Sequence, residues 1–212
     1  MNDRSDSERI RAARRARLPE AEMDATARRI LEAALRLFAT QGFHATSMRD
    51  LAKVLEIQPS ALYGSFPSKD HLLAELVRLG HELQHATLRA ALLAAGGDPL
   101  DQLRAVVRAN AVFHATYPHL AVVVNDEMHA LAPELAAPGL ALRRQTIALL
   151  TEIVDRGVTK GRFAMSQPAV AIAAIGAMSL RIPYWYTAGE TAADALGDAQ
   201  AELASRMVGV AC

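Results

Sequence analysis

His81-Glu82-Leu83-Gln84-His85 matches the H-E-x-x-H spacing, in which two histidines one helical turn apart bind zinc and the glutamate between them acts as general base. A catalytic zinc also needs a third protein ligand and an enclosed cleft. Glu127 is the tempting third ligand, but no recognisable motif surrounds it, and solvated neighbours such as Gln84 and Arg89 favour adventitious surface histidines over a metal-dependent hydrolase. A second group, His114, His119, Asp126 and His129, lies across the Tyr117-Pro118 bend, with Asp126 and His129 placed i, i+3 on one helix face. It could hold a metal, but histidines near a helix end more often make ordinary polar contacts. The expectation is therefore no catalysis, no metal and no cofactor.

The elements that must position these residues are helical. Ala and Leu recur throughout, aromatic and β-branched residues are sparse, and no stretch alternates with period two, so the chain reads as all-α. From Ala25, the apolar positions Ile30, Ala33, Ala34, Leu37 and Phe38 follow helical spacing until Gly42 stops the helix. Thr46 or Ser47 can cap a second helix, with Asp50 in its first turn, running to about Leu55. A tight turn at Glu56 and Ile57 leads to Pro59, which suits the first turn of a third helix ending near Phe66. Ser68 caps a long fourth helix with Leu72, Leu73, Leu76, Val77 and Leu83 as its stripe. Gly96-Gly97-Asp98-Pro99 is the clearest break. Beyond it, four or five further helices are expected, punctuated at Tyr117-Pro118, Pro133, Pro138-Gly139, Gly161 and Ala188-Gly189.

Two short helices joined by a three-residue turn need Leu51, Leu55, Ile57 and Leu62 to point inward together and a small residue, Ala52, where they cross; all five are present. That geometry leaves the outer side of the third helix free to enter a major groove, its N-terminal residues nearest the base edges. The stretch from Thr46 to Leu73, TSMRDLAKVLEIQPSALYGSFPSKDHLL, closely resembles the DNA-binding motif of the tetracycline-repressor (TetR) family, with T-S-x-x-x-L-A, L-Y-x-x-F and S-K-x-x-L-L in the same relative places. Further along the chain, only length and helical character agree. The resemblance implies phosphate contacts from Ser47, Tyr63 and Lys69, and a base contact within reach of Arg49. It places Gln58, Pro59, Ser60, Gly64 and Ser65 on the outward side of the third helix. Gln58 could pair with an adenine edge, and Pro59 or Ser60 could pack on a thymine methyl. Gly64 and Ser65 replace the aromatic and histidine often found before the Phe, so this helix presents less side chain than usual. Glu56 stands where a turn glycine is common. A positive φ there costs on the order of 1 kcal/mol, and the alternative is a reshaped turn.

The resemblance also implies a C-terminal helical domain that binds an effector and dimerises through its last two helices, about 168–186 and 191–210. An effector cavity is mostly apolar with a few polar groups. Arg181 lies in the otherwise apolar AVAIAAIGAMSLRIPYWY, where an unpaired charge is costly, so it must meet an acid, a partner chain or an anionic ligand. Met178, Tyr184, Trp185, Phe113, Asn125 and Met128 are the other candidate lining residues, and Pro183 should kink or end its helix.

Composition sets the bounds. At 51% hydrophobic residues, 212 residues can fill a core, and 23 basic against 23 acidic side chains give no overall pull toward nucleic acid. Within residues 1–18, however, Arg4, Arg9, Arg11, Arg14, Arg15 and Arg17 outweigh Asp3, Asp6 and Glu8. That basic arm is either a solvated tail or a DNA-touching extension. Cys212, the single cysteine, permits no internal disulfide, and the Arg-rich start lacks an apolar signal core, so a cytoplasmic setting is expected. The uncharged run from Phe163 to Leu180 reads as a buried helix rather than a membrane span. The expected organisation is a basic arm at 1–24, a helix-turn-helix domain at 25–70, and a helical effector and dimerisation domain at 71–212. The function it implies is a ligand-responsive homodimeric repressor, released from a pseudo-palindromic duplex operator by a small lipophilic effector. The alternatives are the hydrolase of His81, Glu82 and His85 or a helical adaptor that does not bind DNA.

Overall fold

The computed structural model of the chain describes residues 18, 23–187, 189 and 191–209. The arginines of the basic arm and Cys212 lie outside the described residues. Every regular element among the described residues is helical, in the order α1 (Ala25–Gln41), α2 (Met48–Leu55), α3 (Pro59–Ser65), α4 (Lys69–Ala94), α5 (Pro99–Thr116), α6 (Pro118–Val122), a π turn (Val123–Glu127), a 3-10 turn (Met128–Ala130), α7 (Pro133–Thr159), α8 (Pro168–Leu180), α9 (Ile182–Trp185) and α10 (Ala193–Met207). Two compact units result. Among the described residues, the first is the chain up to His81 together with Tyr117–Leu140, and the second is Glu82–Thr116 together with the chain from Ala141 onward. Each unit has its own core.

In the first unit the helix ends follow local chemistry. The Asp24 carboxylate accepts from the amides of Thr26 and Ala27, satisfying two orphan donors of α1. Gly42, at φ 87°, closes that helix by donating its N–H to Phe38 O. Of the two hydroxyls that could cap α2, Ser47 does so, while buried Thr46 donates its Oγ1 hydrogen to Gly42 O at 2.9 Å. Ile30, Leu31, Leu35 and Phe38 of α1 are buried with Leu51, Leu62, Leu72, Leu73 and Leu76, and Phe38 meets Phe43 edge to face at 5.2 Å. From the second segment of this unit, Leu120, Val123, Val124, Met128 and Leu131 join the same core. Gly80 and Gly139 mark close approaches: a Cβ at Gly80 would stand 2.6 Å from the Val124 side chain, and one at Gly139 2.4 Å from that of Val77.

In the second unit, Leu103, Val106 and Val107 of α5 bury with Ile153, Phe163, Ile175, Ala204 and Val208. Gly197 of α10 lies where a Cβ would meet Arg108 and Val112 of α5 within about 3 Å, so α5 and α10 approach closely, and Arg108 grips Asp194 and Asp198 at 2.7 Å each across that seam. Ser179 of α8 donates its hydroxyl to Gln200 Oε1 of α10 at 3.0 Å, a buried polar pair that pins those helices in register.

Three expectations need correction. Pro138-Gly139 does not interrupt the chain: α7 runs through it, because Pro138 falls only just past the first turn and removes a single ladder bond while Gly139 admits Val77. The run from Phe163 to Leu180 is not a buried helix. Only Ile175 and Ser179 of α8 are buried, and Val170 is 60% exposed, because the helix is apolar on all sides and just one stripe of it meets this chain. The third is the extent of the helix expected at about 168–186: it stops at Leu180, an ending in keeping with the break expected at Pro183, which sits in the first turn of the separate four-residue α9, where its missing N–H has no role to lose. No helix among the described residues is long and apolar enough to cross a membrane.

Candidate nucleic-acid interface

The α2–α3 pair forms a two-faced wedge. Leu51, Ala52 and Leu62 are buried, with Leu55 and Ile57 half-buried against the same core. On the opposite side Ser47, Arg49, Gln58, Pro59, Ser60, Tyr63, Gly64 and Ser65 are all exposed, Tyr63 to 53%. Each helix is held at its ends. Ser47 Oγ accepts from Asp50 N at 3.2 Å while the Asp50 carboxylate accepts from Ser47 N at 2.8 Å and from Ser47 Oγ at 2.5 Å, a reciprocal capping box. Those bonds hold the Asp50 carboxyl below its ordinary pKa, so it stays ionised beside Ser47. Between the helices, Glu56 adopts φ 57°, ψ 41°; its N–H donates to Lys53 O and that of Ile57 to Ala52 O at 3.1 Å, a Schellman closure. The turn therefore takes the left-handed form with a glutamate in it and is not reshaped.

The recognition helix α3 starts with Pro59 and carries only seven residues, Phe66 closing it through a 2.9 Å bond to Leu62 O. A Cβ at Gly64 would meet nothing within 4 Å, so the helix surface there is bare backbone open to an incoming surface. Lys69 is oriented differently from the exposed set: its Nζ donates to Phe43 O at 3.0 Å, Thr46 O at 3.1 Å and, at the long limit, His44 O at 3.5 Å, and it stands 4.4 Å over the Phe43 ring. Lys53, outside the residues expected from the sequence, lies one turn beyond Arg49 on α2 and is exposed. The i, i+4 spacing of two cations was the signal for it.

The candidate effector residues are distributed over both units. Asn125 and Met128 belong to the first, where Met128 is buried and Asn125 turns its amide back to Ala121 O at 2.7 Å within the π turn. Phe113, Met178, Arg181, Tyr184 and Trp185 belong to the second. Phe113 is buried and Met178 packs on the second core, whereas Trp185 is 59% exposed. Arg181 is not immersed in an apolar helix as its sequence context suggested. It sits at the α8–α9 junction, exposed, with its guanidinium 4.2 Å over the Tyr184 ring.

The histidines do not converge. His81 is buried and Glu82 exposed, while His85 Nδ1 lies 3.4 Å from Thr146 Oγ1. His114 donates from Nδ1 to Asn110 O at 2.9 Å, and its burial pulls its pKa down to about 4, leaving it a neutral core residue. His119 is buried in the other unit, and Asp126 and His129 are exposed. Among the described residues no three His, Cys, Asp or Glu side chains gather as a metal site, so neither the H-E-x-x-H motif nor the second histidine group forms one there.

Comparison with known proteins agrees with this geometry. Residues 30–76 match the family described as bacterial regulatory proteins, tetR family, and residues 96–208 match the tetracyclin repressor-like C-terminal domain. The chain is 30% identical over 137 residues to the HTH-type transcriptional repressor KstR2 of Mycobacterium tuberculosis, covering 63% of this chain and 67% of that one. Among solved structures, a regulatory protein of the tetR family from Rhodococcus RHA1 superposes with a TM-score of 0.84 at 30% identity, over 90% of this chain and 100% of that one. AibR, solved in complex with isovaleryl coenzyme A and operator DNA, shares the fold at a TM-score of 0.75 and 23% identity, over 84% and 96% of the two chains. With a helix-turn-helix wedge at the N-terminal end and the family's own C-terminal domain behind it, the chain belongs to the TetR family of DNA-binding transcriptional regulators.

Proposed function

We propose that the protein is a homodimeric repressor that seats two copies of α3 in successive major grooves of a pseudo-palindromic operator and leaves it when a small lipophilic effector binds the helical domain. The single observation that carries this reading is the two-faced wedge: Leu51, Ala52 and Leu62 anchor it, and its polar side from Ser47 to Ser65 meets solvent. Within that face, Arg49, Lys53 and Tyr63 are assigned to phosphates or groove edges, Ser47 to a phosphate, and Gln58, Pro59 and Ser60 to base edges. Gly64 and Ser65 leave room for close approach of backbone to DNA.

Dimerisation through α8 and α10 is supported by the apolar residues those helices leave uncovered, Val170, Leu203 and Met207. A C2 dimer would read a sequence with matching two-fold symmetry. Phe113, Met178, Arg181, Tyr184 and Trp185, all of the second unit, are the assigned effector residues, and a lipophilic or acyl-thioester-like ligand is supported by the isovaleryl coenzyme A bound to AibR. The effector acts by binding the DNA-free geometry better than the DNA-bound one, and its effect on affinity equals that difference. The domain organisation assigned is a basic arm, a helix-turn-helix domain and an effector domain. The protein works in the cytoplasm and carries no catalytic activity.

A titration of mixed-sequence duplex at increasing salt tests this. Binding should weaken steeply, with log K falling linearly against log salt. Salt-independent binding, or none, would leave the adaptor reading in its place.

A further inference from the structure

We infer that Lys69 is a positioning residue of the DNA-reading head, acting through the backbone of residues 43–46 rather than by touching phosphate. An ammonium has three N–H donors and no acceptor. In Lys69 those donors point at three carbonyls, Phe43 O, Thr46 O and the more distant His44 O, and the charge rests on the face of the Phe43 ring. Two donors are committed at 3.0 and 3.1 Å and the third is held loosely at 3.5 Å, so an oxygen outside the protein would have to compete with the link for this ammonium.

The placement explains what the bonds accomplish. Residues 43–46 are the link between α1 and α2, and their carbonyls fall outside the ladder of either helix. Phe43 is a fixed point, buried against Phe38, and Thr46 is tied to Gly42 O through its hydroxyl. Lys69 opens α4, immediately after the recognition helix. Its side chain therefore staples the start of α4 to the start of α2, closing a ring of elements α2, α3 and α4 around buried Leu51 and Leu62. The direction of Ser47 and Arg49, which stand just beyond Thr46, follows from that staple. With it cut, Phe43 O keeps only the Thr46 amide at 3.2 Å, Thr46 O exchanges the ammonium for water, and α2 gains freedom to pivot. The inference rests on the DNA-binding reading above.

The test uses the full-length protein and the duplex it recovers from a random pool, comparing wild type with Lys69→Met and Lys69→Arg across a salt series. Methionine keeps the stem without donors. Arginine keeps the charge and any phosphate contact, but its planar fork cannot converge on three carbonyls around one point. For a positioning residue, both variants lose affinity by about tenfold, roughly 1.4 kcal/mol for returning a freed α2 to the bound direction, and both keep the wild-type slope of log K against log salt. Amide exchange of residues 47–51 should quicken in both while the second unit is unchanged. Should Lys69→Met fail to fold, Lys69→Gln, which retains two donors, takes its place with the same unchanged slope. If Lys69 instead neutralised a phosphate, the methionine or glutamine variant would show a slope shallower by about 0.9 for that one phosphate, and Lys69→Arg would behave as wild type; that result, or full affinity in every variant, overturns the inference. Failure of the wild-type protein itself to recover or bind any duplex would count against the regulator reading and not against the staple.

Discussion

Replacing Glu56 by glycine should stabilise the first unit. Glu56 is exposed and sits at φ 57°, ψ 41°, where an L side chain crowds its own carbonyl. That conformation costs roughly 1–2 kcal/mol for a residue with a Cβ. Glycine escapes the cost but loses roughly 0.5–1 kcal/mol more chain entropy on folding. The difference leaves a net gain of roughly 0–1.5 kcal/mol for Glu56→Gly, centred on about 0.75 kcal/mol. Glu56→Ala keeps the Cβ and should change stability by less than about 0.5 kcal/mol. Native-state amide exchange at Leu51 and Leu62, both buried in the first unit, reads this directly: glycine should slow their exchange by about two- to fivefold and alanine should not. Urea unfolding should show the same shift without a change in slope. Equal behaviour of the two variants would mean that the turn relaxes out of the left-handed region, and the argument from backbone strain would fail.

Other substitutions probe the packing and the buried histidine. Leu62→Ala removes a side chain with no exposed surface from beneath the recognition helix and should cost about 2–5 kcal/mol by urea unfolding. Gly157→Ala would place a Cβ 2.0 Å from the Phe163 ring, so a loss of about 1–3 kcal/mol is expected in the second unit's unfolding transition. His114 is neutral in the fold, with a pKa of about 4 against 6.5 in an unfolded chain. The unfolded state therefore binds the extra proton between those values. Its effect is absent above pH 6.5 and destabilises increasingly as pH falls toward 4, by about 3 kcal/mol at the low end. In a pH series of unfolding free energies, His114→Gln should flatten that fall; an unchanged profile would show that the imidazole is not the source.

Much of this was legible in the residues. Ser47, Pro59 and Ser68 announce helix starts by their chemistry, and Gly42 and Gly161 announce stops at positive φ. The wedge was equally readable, because Leu51, Ala52 and Leu62 can share one core only if the residues between them face outward. What could not be read was tertiary. Pro138 looked like a break because local rules cannot see that its helix is stabilised by Val77 packing on Gly139. Arg181 looked like a buried charge because the apolar letters around it do not tell which face of α8 the chain covers. Lys69 lies 26 residues from Phe43, and nothing local announces the pairing. Whether a histidine motif assembles ligands likewise depends on the third group, which no spacing within one helix supplies.

The most direct test of the central claim is selection of duplexes from a random pool, run in parallel with wild-type protein and Gln58→Ala. A wedge that reads DNA predicts an enriched sequence with two-fold symmetry for the wild type and, for the variant, loss of preference confined to one position in each half-site. Enrichment of nothing, or the same sequence with undiminished preference from both proteins, would contradict the assignment of the α3 face to base reading.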